Sequence, residues 1–119
     1  MSNGKTLLVI DDDANIRDLL KLEFGDLGYA VLVAENGFDG IQLLKDHEVD
    51  LVILDIKMPG MDGIEALEKI MTIKRELPVV IHSAYSHYKE NYLTWSAMAY
   101  VVKSGNLDEL ISTVEKMIK

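Results

Sequence analysis

Five short apolar runs recur along this chain, and nearly every one is followed by residues with helical spacing. The runs are Thr6 to Ile10, Tyr29 to Ala34, Leu51 to Leu54, Val79 to His82 and Ala99 to Val102. They are too short for core helices, and most are continuously apolar. That pattern suits strands buried on both faces. Between the first two runs, Ile16, Leu19, Leu20, Phe24 and Leu27 form an apolar stripe, with Arg17, Asp18 and Lys21 facing out. Gly25 and Gly28 bracket the end of that helix, and Glu35-Asn36-Gly37 reads as a turn. Phe38, Ile41 and Leu44 mark a second helix, and Ile64, Leu67, Ile70 and Met71 a third. Leu77-Pro78 stops the third. The segment from Ser86 to Ser96 is polar and aromatic, with weak periodicity. The clearest helix runs from Asn106 to Met117, where Leu107, Leu110, Ile111, Val114 and Ile118 share a face. Asn106 with Glu109 resembles a capping box at its start.

Strands that alternate with helices imply an α/β fold with a parallel sheet, right-handed crossovers and helices on both faces. The expected architecture is a five-stranded, flavodoxin-like doubly wound (βα)5 sheet in the order 2-1-3-4-5. Its crevice would lie at the C-terminal ends of strands one and three. With 119 residues and no linker or repeat, residues 1–119 are expected to form one domain. The formal charge of −8 argues against direct binding to nucleic acid or an anionic membrane. Without cysteine, thiol catalysis, zinc thiolates and disulfides are excluded. No signal-peptide core and no run of membrane-spanning length is present, so a soluble cytoplasmic protein is expected.

That topology brings four features to one edge of the sheet. Strand one ends in Asp11 and Asp12, strand three in Asp55, strand four in Ser83 and strand five in Lys103. Pro59, Gly60 and Gly63 break the chain after Asp55. Three adjacent carboxylates repel and need a cation to remain ionised together. Oxygen ligands with no His or Cys suit a hard ion, Mg²⁺ first, which often holds a phosphate. Together the parts describe phosphoryl transfer to a carboxylate. Asp55 attacks, Mg²⁺ and Lys103 neutralise developing charge, and Ser83 orients the group. Taken singly, each part has a plainer reading. The acidic run suits a helix N-terminus, with Asp13 as the cap; Ser83 suits a turn, and Lys103 a solvated surface.

Val9-Ile10-Asp11-Asp12-Asp13, Leu54-Asp55-Ile-Lys-Met-Pro-Gly-Met-Asp-Gly63, His82-Ser83-Ala84 and Tyr100-Val-Val-Lys103 resemble the receiver domain of two-component response regulators. The resemblance covers essentially the whole chain, in order and spacing. It implies that Asp55 is the phosphoacceptor and that Asp11 and Asp12 hold Mg²⁺, with the Lys57 backbone carbonyl as a further ligand. It makes Ser83 the switch hydroxyl, Tyr100 the switch aromatic and Lys103 the phosphate-contacting lysine. Lys57 and Tyr85 occupy positions that tune the phosphoryl lifetime. The donor would be a phosphohistidine on a sensor histidine kinase or a phosphotransfer protein. The chain would assist only its own phosphorylation and dephosphorylation. Output would pass to a downstream protein or a second copy, through a face built by the 86–96 segment, strand five and the last helix. With no effector segment after Lys119, a stand-alone receiver or part of a longer regulator is expected.

Two positions depart from the family pattern. Ser104 stands where proline usually follows the strand-five lysine. A cis bond there would cost about 2.5–4 kcal/mol, so the isomer is left open. Ser96-Ala97 replaces the usual Gly-Ala, and Tyr85, Tyr88, Tyr92 and Trp95 crowd the segment before strand five. Those aromatics suit either packing on the sheet or an interaction face. A receiver that has lost switching and serves as a docking module is one alternative. A second is an aspartate-nucleophile phosphatase, since Asp11-Asp12-Asp13 nearly offers an Asp-x-Asp signature. A calcium loop fails at Ile16 and Leu22, and a flavin site lacks a phosphate loop. His47, His82 and His87 have no metal-ligand spacing, and strand alternation directs His82 opposite to Ser83.

Overall fold

In the computed structural model the described residues are 4–56, 63–84 and 99–118. Five strands form one parallel sheet: β1 (Thr6–Ile10), β2 (Ala30–Ala34), β3 (Leu51–Leu54), β4 (Val79–Ser83) and β5 (Ala99–Val102). Their order is β2-β1-β3-β4-β5, as the alternation of strands and helices predicts. Four helices are described: α1 (Ala14–Asp26), α2 (Gly37–Asp46), α3 (Gly63–Ile73) and α4 (Asp108–Met117). The aromatic 86–96 segment, with Tyr85, Tyr88, Tyr92, Trp95, Ser96 and Ala97, lies outside the described residues. So do Lys57, Pro59, Gly60, His87 and the side chain of Ile64.

The period of two along each strand sorts the core into two layers. Leu7 and Val9 of β1, Leu51 and Ile53 of β3, Val80 and Val101 pack with Leu20 and Phe24 of α1 and Leu110 and Val114 of α4. Leu8, Ile10, Val52, Leu54, Val79 and Ile81 pack with Ile41 and Leu44 of α2 and Ala66, Leu67 and Ile70 of α3. Helices cover both faces, so β3 and β4 are buried along their whole length. A central strand of that kind has no polar alternation to offer, which is why its run reads as continuous. At the opposite edge from the candidate site, the Thr6 N–H donates to Asp50 Oδ2 at 2.8 Å, tying β1 to the start of β3.

The helix starts follow side-chain chemistry. Asp13 caps α1, accepting from the Asn15 N–H at 2.9 Å and the Ile16 N–H. Asn36 caps α2 by accepting from the Asp39 N–H at 2.8 Å, so the expected turn there is a cap leading into the helix. The expected capping box at Asn106 does not form. The helix begins later, at Asp108, and its cap position, Leu107, has no side-chain bond. Asn106 Oδ1 instead accepts from the Asp108 N–H at 2.7 Å, a local turn that draws the side chain away from Glu109. Two stripes are also narrower than their spacing implies. Leu19 and Leu27 of the first are 39% and 42% exposed, and Phe38 is 63% exposed. One helix face meets the sheet only along its centre, leaving the flanks of a wide stripe in solvent.

Gly40 is where α2 presses closest on the sheet. A Cβ there would lie 2.7 Å from Ile10 Cγ1 and nearer still to Cδ1. Ile10 is fully buried and has little room to yield. Gly40→Ala should therefore destabilise the fold by about 1–3 kcal/mol. Gly25, by contrast, has open space around it within α1. Gly25→Ala should stabilise by about 0.5–1 kcal/mol through lower unfolded-state entropy. Urea unfolding of the two variants beside the parent chain reads both signs in one experiment.

Candidate functional site

The ends of β1 and β3 carry the sheet ladder one residue beyond the strands. The Asp11 N–H donates to the Ala34 carbonyl at 3.1 Å, and the Asp55 N–H donates to the Ile10 carbonyl at 2.9 Å. Backbone pairing thus fixes two acids that are only 2% and 5% exposed. Both follow the parity of the α1/α4 layer, Asp11 two residues past Val9 and Asp55 two past Ile53. Asp12, one residue on, is exposed. Carboxylate oxygens of Asp11, Asp12 and Asp55 all lie within 4.8 Å of one another.

Lys103 arrives from the far side of the sheet. Its N–H donates to the Ser83 carbonyl at 2.7 Å, extending the β4–β5 ladder. Its ammonium lies 2.8 Å from Asp11 Oδ2 and 3.1 Å from Asp55 Oδ2. The described peptide bonds are all trans, that between Lys103 and Ser104 included. Ser104 Oγ donates to the Asn106 carbonyl at 2.8 Å and closes the turn after Lys103. The lysine therefore reaches both acids with no proline behind it. Burial alone would lower its pKa, but hydrogen bonds and charge from Asp11 and Asp55 outweigh that and raise it.

Ser83 is fully buried at the end of β4. By strand parity it follows Ile81, on the face opposite to Asp55. Tyr100 pairs in register with Ile81 and packs, partly buried, against the α2/α3 layer. Lys57 and Tyr85 fall outside the described residues, so the structure brings together Asp11, Asp12, Asp55 and Lys103. Two contributors escaped the sequence reading. Arg17, expected to face outward, turns back so that Nη1 donates to the Asp11 carbonyl at 2.7 Å. The Asp13 N–H also donates to Asp11 Oδ1 at 2.9 Å, fixing the carboxylate's orientation. A cation one turn into the helix after an acidic run was the available signal, but helical spacing alone assigned it to solvent. Three oxygen donors of this kind, with no nitrogen or sulfur, fit a hard divalent cation such as Mg²⁺.

His82 is 2% exposed, and burial, followed by the charge of Lys103, pushes its pKa down to about 4. Its folded-state value thus lies below the unfolded value of 6.5. Above pH 6.5 the imidazole is neutral in both states and makes no pH-dependent contribution. As pH falls from 6.5 towards 4, the unfolded chain takes up a proton that the folded chain refuses, and stability is lost. Between pH 7 and pH 4.5 this one residue should account for roughly 2–3 kcal/mol of that loss. Urea unfolding at both pH values should show a correspondingly smaller decline in His82→Leu. An identical decline in the two proteins would refute the assignment.

The family model for the response regulator receiver domain matches residues 7–115. Sporulation initiation phosphotransferase F of Bacillus subtilis is 34% identical over 120 residues, covering 99% of this chain and 96% of its own. The regulatory protein AtoC of Escherichia coli is also 34% identical, across 95% of this chain, but there the chain spans only 25% of the relative's length. Among solved structures, the response regulator TrrA of Thermotoga maritima, in complex with Mg²⁺ and BeF, is 44% identical, with a TM-score of 0.91. That match covers 95% of this chain and 98% of TrrA. TrrA in complex with the histidine kinase ThkA gives 43% identity and a TM-score of 0.90, covering 97% and 99% of the two chains. Sheet order, acidic edge and these likenesses agree, and the chain belongs to the response regulator receiver domain family.

Proposed function

We propose that this receiver domain takes a phosphoryl group onto Asp55 from the phosphohistidine of a sensor histidine kinase or a phosphotransfer protein. The observation that carries the reading is the Lys103 ammonium, 3.1 Å from Asp55 and 2.8 Å from Asp11, beside a three-carboxylate cluster. The solved complexes of TrrA, one with Mg²⁺ and BeF and one with a histidine kinase, support it. An Asp55 carboxylate oxygen attacks phosphorus as the P–N bond to the donor imidazole breaks, and the bonding pair returns to that nitrogen. The product is an aspartyl phosphate. Asp11, Asp12 and Asp55, with the Lys57 carbonyl, would hold Mg²⁺, which when bound supplies positive charge against the phosphoryl oxygens. Lys103 pairs with one phosphoryl oxygen, and the Ser83 hydroxyl, turning from the α2/α3 face around the end of β4, donates to another. These are the chain's own contributions to charge neutralisation and orientation.

Ser83 then draws the loop after β4 inward, and Tyr100 turns into the space vacated, a discrete packing change. The altered face, built by the 86–96 segment, β5 and α4, docks a downstream protein or a second copy. Lys57 and Tyr85 shield the phosphoryl group from water and lengthen its life. The domain acts on no other substrate and works in the cytoplasm. Among the described residues, no helix is long and apolar enough to cross a membrane. The charge of −8 disfavours direct contact with nucleic acid.

Incubation with Mg²⁺ and acetyl phosphate should add one phosphoryl group, seen by intact mass spectrometry and lost in Asp55→Asn. Full labelling of that variant would sink the reading. Asp12→Asn should weaken Mg²⁺ roughly tenfold or more, because affinity follows ligand charge. Trp95, the single tryptophan, offers a fluorescence readout. Replacing Lys57 and Tyr85 together by alanine should shorten the aspartyl phosphate's half-life.

A further inference from the structure

The Lys103 side chain has to cross a strand to reach its partners. It leaves β5, while Asp55 ends β3 and Asp11 ends β1, and β4 lies between β5 and β3. On the face these groups share, the β4 residue at that level is His82. It is in register with Val101, two residues before Lys103, and the β3–β4 register carried one step past Leu54↔Ile81 sets it beside Asp55. The imidazole is 2% exposed, and its Nδ1 is buried with no hydrogen-bond partner among the described residues. A buried polar atom left in that condition is costly. An apolar residue would cover the same floor without that cost.

The site's chemistry supplies a donor for it. An ammonium carries three N–H groups, and the carboxylates of Asp11 and Asp55 accept two of them. Phosphorylation converts the Asp55 carboxylate into an acyl phosphate, so the oxygen now 3.1 Å from Lys103 loses its charge and becomes a poor acceptor. Resting on the phosphoacceptor reading above, we propose that His82 is a positioning residue for Lys103. Its imidazole floors the lysine's path across β4, and Nδ1 accepts the ammonium N–H that Asp55 releases on phosphorylation. A neutral imidazole keeps a lone pair on one ring nitrogen, and Nδ1 is the one left buried without a partner among the described residues. Lys103 is then held from beneath while its other donors face the phosphoryl oxygens.

The test is ¹⁵N NMR of the histidine side chains with Mg²⁺ alone and with Mg²⁺ plus beryllofluoride. The His82 Nδ1 resonance should move from the position of an unbonded lone pair to that of a hydrogen-bonded acceptor only when beryllofluoride is added. His82→Leu should bind beryllofluoride roughly tenfold more weakly. His82→Asn, whose side-chain oxygen lies at the distance of Nδ1 from the backbone, should recover most of that loss. Capture of beryllofluoride with an unmoved Nδ1 resonance would overturn the role of His82 and leave the phosphoacceptor reading standing. An Nδ1 already hydrogen-bonded with Mg²⁺ alone would do the same, as would a His82→Leu affinity equal to that of the parent chain. No capture by the parent chain would overturn both.

Discussion

One ammonium shared between two buried carboxylates sets the terms for the rest of the site. Lys103 holds Asp11 and Asp55 at 2.8 and 3.1 Å, where neither acid has more than 6% of its side chain exposed. Two such acids side by side would repel strongly without a counter-charge. A buried pair of this type contributes little net stability, because desolvation consumes the Coulombic gain, yet removal of one partner is expensive. The arrangement therefore adds little net stability and makes more sense as a poised electrostatic device. With Asp12 nearby, three carboxylates and one ammonium leave a surplus of two negative charges at one spot. A divalent cation is opposite to that surplus in sign and equal to it in size.

The fold beneath this device was legible because its signals are redundant. Leu51–Leu54 reads as a buried strand from composition alone, and it is buried because helices lie on both faces. Strand parity then carries Asp11 and Asp55 to the same side, so a period of two suffices to predict that they meet. The ion pair through Lys103 could be anticipated from strand order, since order alone decides which strand ends share an edge. What stayed hidden depends on choices between partners of similar energy. Asn106 could serve the Glu109 or the Asp108 N–H, and a sequence pattern does not separate a cap from a turn one residue away. Arg17 could face water or return to the Asp11 carbonyl, and a long side chain does either at small cost. His82 was placed on its face by alternation, but its low pKa follows from burial and from Lys103 lying nearby in space.

The position of Lys103 rests on a short strand at one end of the sheet. Among the described residues β5 is an edge strand of four residues, partly exposed along much of its length and paired only with β4. Its register, Val80↔Ala99 through Ser83↔Val102, decides which face Lys103 occupies. A slip of one residue would send the lysine to the opposite face and strip both acids of their counter-charge. Edge strands slip most easily where the pattern is weak, and here Val101 is the only β5 residue that is fully buried. The Lys103 N–H bond to the Ser83 carbonyl and the ion pair beyond it thus act back on the strand that carries them. Register places the ammonium, and the ammonium, bound to β1 and β3 across β4, holds the register. Any event that changes the charge on Asp55 acts on that reciprocal hold. The first structure to feel it is β5 and the turn after it, because those are the parts for which Lys103 is the anchor.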